Sequence, residues 1–440
     1  MASQVSTTTS VNLASENQER NYSSSLAVLT SLFFAIGFTA ALNDILIPHL
    51  RAIFSLSYAE AMLVQFCFRL AYLSVSLPAG WIAGKLGYKK GIVIGLTTAG
   101  VGCLIFYPAA SLEQYGVFLL ALFVLASGFT FLQVSVNPYV TVLGKPETAS
   151  SRLNLTQAFD SLGTTVAPYL GSLLILSFTV KGAQELRKFS PHQLALYRLA
   201  EARSVQVPYL GLGIVLFAIA AIFAFLKLPE IKGGQPSASG GDGQNYDDLH
   251  KSAWGYKNLY LGVIGIFVYV GAEVSIGSFL VNYFGSHDIL SMPAAEAGKF
   301  VAFYWGGAMV GRFIGSGLQR KIKPAKMLAF NALTAALLVI VSMLSFGYLA
   351  MWTILLVGLF NSIMFPTIFS LSINGLGKHT SQASGILCMA IVGGALIPVV
   401  QGLIADNIGI HHAFFIPVLC YLYIAYYGLR GYASPFEAQT

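Results

Sequence analysis

The chain has 440 residues, 56% of them hydrophobic and only 10% charged, whereas a soluble globular protein is nearer a quarter charged; a soluble fold is excluded. The formal net charge of +7 does not make it a nucleic-acid binder, because the basic residues lie in short connections between apolar runs and do not gather on a solvated face.

The apolar residues fall into runs of roughly 20, the length a helix needs to cross a hydrocarbon core of about 30 Å. A Ser/Thr/Asn-rich tail, residues 1–25, precedes the first run. Six spans follow over Leu26–Phe54, Ala59–Gly84, Gly91–Ala110, Tyr115–Leu143, Leu155–Phe178 and Val207–Leu228. Residues 229–256 then carry two glycine pairs with Asp242, Asp247 and Asp248, the composition of a solvated linker. Six more spans cover Leu259–Tyr283, Glu296–Leu318, Ala325–Phe346, Tyr348–Asn374, Ala383–Ala405 and Ala413–Leu429, and residues 431–440 form a second tail. The expected fold is an all-α membrane protein of twelve transmembrane helices in two six-helix bundles, residues 26–228 and 257–430.

Charge sets the orientation. The second-to-third connection holds Lys85, Lys89 and Lys90, and the eighth-to-ninth holds Arg320, Lys321, Lys323 and Lys326. The third-to-fourth, ninth-to-tenth and eleventh-to-twelfth hold no Lys or Arg. Both termini and the linker are therefore expected in the cytoplasm. The fifth-to-sixth connection, with Lys181, Arg187, Lys188, Arg198 and Arg203, runs against this, as longer loops do.

An internal repeat supports two halves. Gly80-Trp81-Ile82-Ala83-Gly84, followed by lysines, returns as Gly311-Arg312-Phe313-Ile314-Gly315, also followed by basic residues. Leu143-Gly144-Lys145 returns as Leu376-Gly377-Lys378, and Asp44 in the first span is matched by Glu273 in the seventh. Each copy lies about 230 residues on. Parallel repeats of this kind define the major facilitator architecture.

Ionisable groups inside such a bundle are costly and mark function. Asp44, in Asn43-Asp44-Ile45-Leu46-Ile47-Pro48, follows a long uncharged run. Desolvation disfavours its charged form, which suits a proton carrier, with a fixed hydrogen-bonded acid as the alternative. Glu273, the one charge in its span, reads as a second coupling acid, a ligand for sugar hydroxyls, or a brace between halves. Gln133 and Asn137 share one helix face, as do Asn154, Gln157 and Asp160. Amides offer donors and acceptors for a neutral polyhydroxylated solute, or else bond helix to helix. Asn43, Asn282 and Asn361 complete the candidate ligands, and Trp305 offers a face for a sugar ring or an interface anchor. Arg69, mid-span, requires an acid, either Asp160 or Asp44. Lys85, Lys89, Lys90 and Arg312 are expected at a cytoplasmic gate, with Arg312 snorkelling to the surface. No metal ligand set and no enzymatic motif is present.

The stretch from Phe33 to Leu50, the segment Gln133-Val134-Ser135-Val136-Asn137-Pro138-Tyr139-Val140-Thr141-Val142-Leu143-Gly144, Arg152-Leu153-Asn154-Leu155-Thr156-Gln157, and Tyr269-Val270-Gly271-Ala272-Glu273 resemble the fucose–galactose–glucose:proton symporters of the major facilitator superfamily. The resemblance implies cation-coupled hexose uptake by a monomer across the bacterial inner membrane, with no cofactor beyond a co-transported proton or sodium ion. It implies that Asp44 is a coupling acid. Glutamine at 133, where the fucose permease branch has a second acid, looks like the glucose/galactose branch, which includes N-acetylglucosamine permeases. Asp160 and Arg69 depart from the family's usual asparagine and uncharged residue, and leave the particular sugar and ion open. An uncoupled facilitator and a non-transporting sugar sensor are the alternatives.

Overall fold

The computed structural model describes residues 22–41, 58–112, 114–175, 189–229 and 252–432, and none of these forms a strand. Twelve helices follow one another: α1 (Tyr22–Ala41), α2 (Tyr58–Leu86), α3 (Tyr88–Ser111), α4 (Tyr115–Val142), α5 (Ala149–Ile175), α6 (Pro191–Phe225), α7 (Lys257–Gly285), α8 (Ala294–Leu318), α9 (Pro324–Leu344), α10 (Gly347–Ile373), α11 (Gly377–Ile408) and α12 (Ile410–Gly431). Asn43, Asp44, the two tails and most of the linker lie outside the described residues.

Ten of these helices are long and apolar enough to span a membrane. The remaining two, α5 and α8, are the polar ones, and they meet each other between the halves. Within the first half α3 lies against α4 and α6, and α2 against α4. Within the second, α8 and α9 lie on α10, and α12 on α9 and α7. Across the halves α2 meets α11 and α5 meets α8, with α4 touching α11 and α5 touching α10. Since α2 and α8 are repeat mates, the two cross-half seams are related by the same pseudo-twofold relation, as parallel repeats require.

Local sequence explains where helices stop and bend. Gly87, at φ 89°, breaks what would otherwise be one helix from α2 into α3, a conformation glycine adopts without strain. Pro138 in α4 and Pro366 in α10 each lack an N–H, so the carbonyls of Val134 and Ser362, four residues back, lose their helical donor. The second helix of this kind breaks at Ser362 and Ile363, between Gly347–Asn361 and Met364–Ile373, so the tenth span is two pieces where one is expected.

The sixth helix also differs from expectation. It begins at Pro191, well before Val207, and runs 35 residues, about 52 Å at 1.5 Å per residue, which exceeds the hydrocarbon thickness. Arg198 and Arg203 thus belong to a helical extension and not to a loop. The start signal was in the sequence: Ser190 accepts from the Gln193 N–H while Gln193 caps back, with Pro191 at the first helical position.

The end of the bundle where α2 yields to α3 and α8 to α9 carries Lys85, Lys89, Lys90, Arg320, Lys321 and Lys323, and is called the basic end below. There α2 and α11 approach at backbone distance. A β-carbon on Gly385 would stand 2.6 Å from the Ser76 carbonyl, and one on Gly80 2.8 Å from that of Ser381. Small residues permit such contact between helices in a membrane.

Candidate functional site

The amides of α4 and α5 form one chain. Gln157 Nε2 donates to Asn137 Oδ1 at 3.3 Å, and Asn137 Nδ2 donates to Gln133 Oε1 at 2.9 Å. Asn137 is fully buried and Gln157 nearly so, while Gln133 is half-buried. The chain leaves Gln133 Nε2 as a donor at one end and Gln157 Oε1 as an acceptor at the other, a pair that suits a hydroxyl group.

A charged cluster lies beside it, between the halves. Glu273 of α7 accepts at Oε1 from the Tyr269 hydroxyl at 2.7 Å. Arg312 of α8 holds one nitrogen 3.8 Å from the same oxygen, and the two side chains are 14% and 13% exposed. Its Nε donates to the Ser362 carbonyl at 3.2 Å, and its Nη1 donates to the Ser161 hydroxyl of α5, in the other half. Asp160, the neighbour of Ser161, lies within reach of the same guanidinium's charge.

The expectation that Arg312 snorkels to the surface is therefore corrected. Pro366 strips Ser362 of its helical donor, and a carbonyl freed in an apolar surround is a strong acceptor. The arginine takes it. The expected pairing of Arg69 with Asp160 is also not what the described residues contain: no ion pair joins them within 4 Å, and Asp160 answers to Arg312. Arg69 instead reaches the second half, where its Nη1 lies 3.5 Å from the position a β-carbon would take on Gly394, and its charge acts on Glu273. Whether Asp44 faces it lies outside the described residues.

Other candidates are dispersed. Asn361 is fully buried inside the second half, donating to the Tyr304 hydroxyl at 2.7 Å, which in turn donates to the Glu273 carbonyl at 3.2 Å. Through that tyrosine it braces the backbone of Glu273. Asn282 is exposed near the far end of α7. Trp305 is 45% exposed and lies over Gly277, whose β-carbon would meet its ring at 2.8 Å.

Asn154 belongs to a third group. Its Nδ2 donates to Gln319 Oε1 across the halves at 2.6 Å, and Gln319 Nε2 donates to Thr367 Oγ1 at 2.8 Å. Ser150 pairs with Ser370 at 2.6 Å, and the Ser151 hydroxyl donates to the Ser316 carbonyl at 2.6 Å. On the opposite seam the Ser384 hydroxyl donates to Val134 O at 2.7 Å, the carbonyl that Pro138 frees, and the Ser381 hydroxyl donates to Tyr88 at 3.1 Å. These bonds form a neutral seal at the basic end.

The lysines expected at that gate do not cross between halves. Lys89 donates to the Ala224 carbonyl near the end of α6 at 2.9 Å, Lys85 sits 3.8 Å over the ring of Trp81, and Lys90 is exposed. The seal's serines, with Thr367 and Gln319, were missed from sequence, since a hydroxyl in an apolar run looks like filler. Pro138 and Pro366 were the available signal, because a proline inside a helix advertises a free carbonyl four residues earlier.

A family model described as Major Facilitator Superfamily matches residues 29–391. The chain belongs to the major facilitator superfamily. It is 54% identical over 418 residues to the glucose/galactose transporter of Brucella abortus (strain 2308), spanning 95% of this chain and 96% of that one. It is 36% identical over 413 residues to the L-fucose-proton symporter of Escherichia coli (strain K12), spanning 92% and 93%. The crystal structure of FucP in the outward conformation shares its fold with a TM-score of 0.85 at 34% identity, over 93% of this chain and 98% of that one. The resemblance read from the motifs, to the fucose–galactose–glucose:proton symporter family, thus extends along nearly the whole chain.

Proposed function

We propose that this protein is a proton-coupled hexose symporter that works by alternating access. The observation that carries the reading is the charged cluster of Glu273, Arg312 and Asp160, set beside the amide chain Gln133–Asn137–Gln157 at the meeting of two repeat-related halves. The amides, with Asn43 and Asp160, hold the sugar, and Trp305 covers it. Asp44 and Glu273 carry the coupling charge, since a carboxyl in the bundle is tolerated where it can become neutral.

One relative is a glucose/galactose transporter and the other an L-fucose-proton symporter, and 54% identity along the chain to the first favours glucose and galactose. The fucose relative is a proton symporter, which supports a proton over sodium. The basic end faces the cytoplasm of a bacterium, on the positive-inside rule and the bacterial origin of these relatives. With that end sealed the protein stands outward-facing. Residues 229–256 form a cytoplasmic linker between the bundles at 26–228 and 257–430, and one chain is a complete unit of transport.

Counterflow in proteoliposomes against a panel of glucose, galactose, mannose, fucose and N-acetylglucosamine, followed by uptake driven by a pH step with and without sodium, tests the reading. Glucose or galactose exchange with proton-driven, sodium-independent accumulation is expected. Asp44→Asn accumulating sugar like the parent would refute the coupling assignment.

A further inference from the structure

Arg312 was read from sequence as a surface anchor, and the coupling scheme above gives it no task, yet no other described side chain bonds both halves while facing an acid. Its three nitrogens are divided. Nε holds the proline-freed carbonyl of Ser362 in its own half, Nη1 holds Ser161 in the other half, and Nη2 stands 3.8 Å from Glu273. A charge-assisted N–H···O bond is about 2.8 Å long, so the guanidinium now bonds the serine and only approaches the carboxylate. The fork is planar and rigid. Closing the last ångström or so to Glu273 must loosen its hold elsewhere, and the neutral serine is the weaker claimant against an ionised acid.

We propose that Arg312 is a positioning residue that transmits the charge of Glu273 to the contact between the halves. With Glu273 neutral, Arg312 keeps α5 through Ser161, next to Asp160, and the basic end stays sealed. With Glu273 ionised, the guanidinium is drawn to α7, α5 is released, and the seal parts more readily. The groups that face Glu273 are Tyr269 on its own helix, Tyr304 and Arg312 from α8, Arg69 from α2 and Tyr421 from α12. Among these, Glu273 is the one carboxyl, and its charge is the one the proposal turns on.

The inference rests on the alternating-access reading but not on the identity of the sugar, and the test separates the two. Spin labels at Lys90→Cys and Lys323→Cys, both exposed at the basic end, report its opening in the full-length protein between about pH 5.5 and about pH 8.5. In the parent, the ratio of sealed to parted basic ends should fall about tenfold across that range. Glu273→Gln should stay sealed throughout, which assigns the titration to Glu273 and not to Asp44 or Asp160. Ser161→Ala, which removes only the acceptor in the other half, and Arg312→Lys, which keeps the charge but loses the fork, should both lie toward the parted state with the pH response flattened. A pH response that survives in Glu273→Gln, or in Ser161→Ala, overturns the proposal. Since Ser161→Ala removes one hydroxyl, its failure to fold is not expected, and unchanged thermal unfolding serves as the check. If no sugar in the counterflow panel is exchanged while the label response behaves as described, the substrate reading fails and this inference stands.

Discussion

The halves are joined at two levels by different chemistry. At the basic end the seal is neutral: an amide ladder from Asn154 through Gln319 to Thr367, serine pairs, and one serine on a proline-freed carbonyl. Deeper in the bundle the join is ionic, with Arg312 shared among Ser161, Ser362 and Glu273. Neutral bonds contribute about 1 kcal/mol each and respond little to pH or salt. A buried charge network changes its energy by several kcal/mol when one member gains or loses a proton. A transporter needs both: a seal firm enough to hold one state but weak enough to open each cycle, and a cluster that decides when.

The sharpest way to break this contrast is Arg312→Ala. It leaves Glu273 in the bundle with Arg69 alone and without the nearer of its two arginines, a loss of up to about 3–5 kcal/mol, the cost where one partner of a buried pair is removed. Thermal unfolding in detergent should show it plainly, and transport should be lost. Next is Asn154→Leu, which strands the buried Gln319 carbonyl oxygen at a cost of about 2 kcal/mol. Label distances across the basic end should shift about 30-fold toward the parted state, by the same factor at every pH. A pH-dependent shift would mean that the seal is not separate from the cluster.

Ser384→Ala should part the seal by about 1 kcal/mol, roughly fivefold. Pro138→Ala returns a helical N–H to Val134, so it should act through the same carbonyl, and the double variant should add nothing to Ser384→Ala in the same measurement. The smallest effect is expected at Lys85. Its contact over Trp81 is exposed, and Lys85→Ala should change stability by no more than about 0.5 kcal/mol and leave the state distribution unchanged.

Much of the fold was legible because membrane helices announce themselves by length and composition. Twelve runs gave twelve helices, and the repeat Gly80–Gly84 to Gly311–Gly315 marked the two halves. The errors fell where a local signal was passed over: Ser190-Pro191-His192-Gln193 for the early start of α6, and Pro366 for the break in α10. At the site, the amide pairs at four-residue and three-residue spacing were correctly read as sharing faces, and Gln133, Asn137 and Gln157 do meet. Asn154 shares that face too, but one turn nearer the basic end it meets a different helix.

What the sequence determined by itself was the kind of molecule: helices that span, a doubled architecture, and an acid set within the seventh helix. Those follow from the solvent, since lipid forbids unpaired backbone and exposed charge in any fold. What only the tertiary structure decided was which donor meets which acceptor. Arg312 had an aqueous surface within reach along its own helix, and turned inward because a carbonyl on α10, a serine on α5 and a carboxylate on α7 converge on it. That convergence depends on the crossing of helices far apart in the chain, which no spacing along one helix encodes.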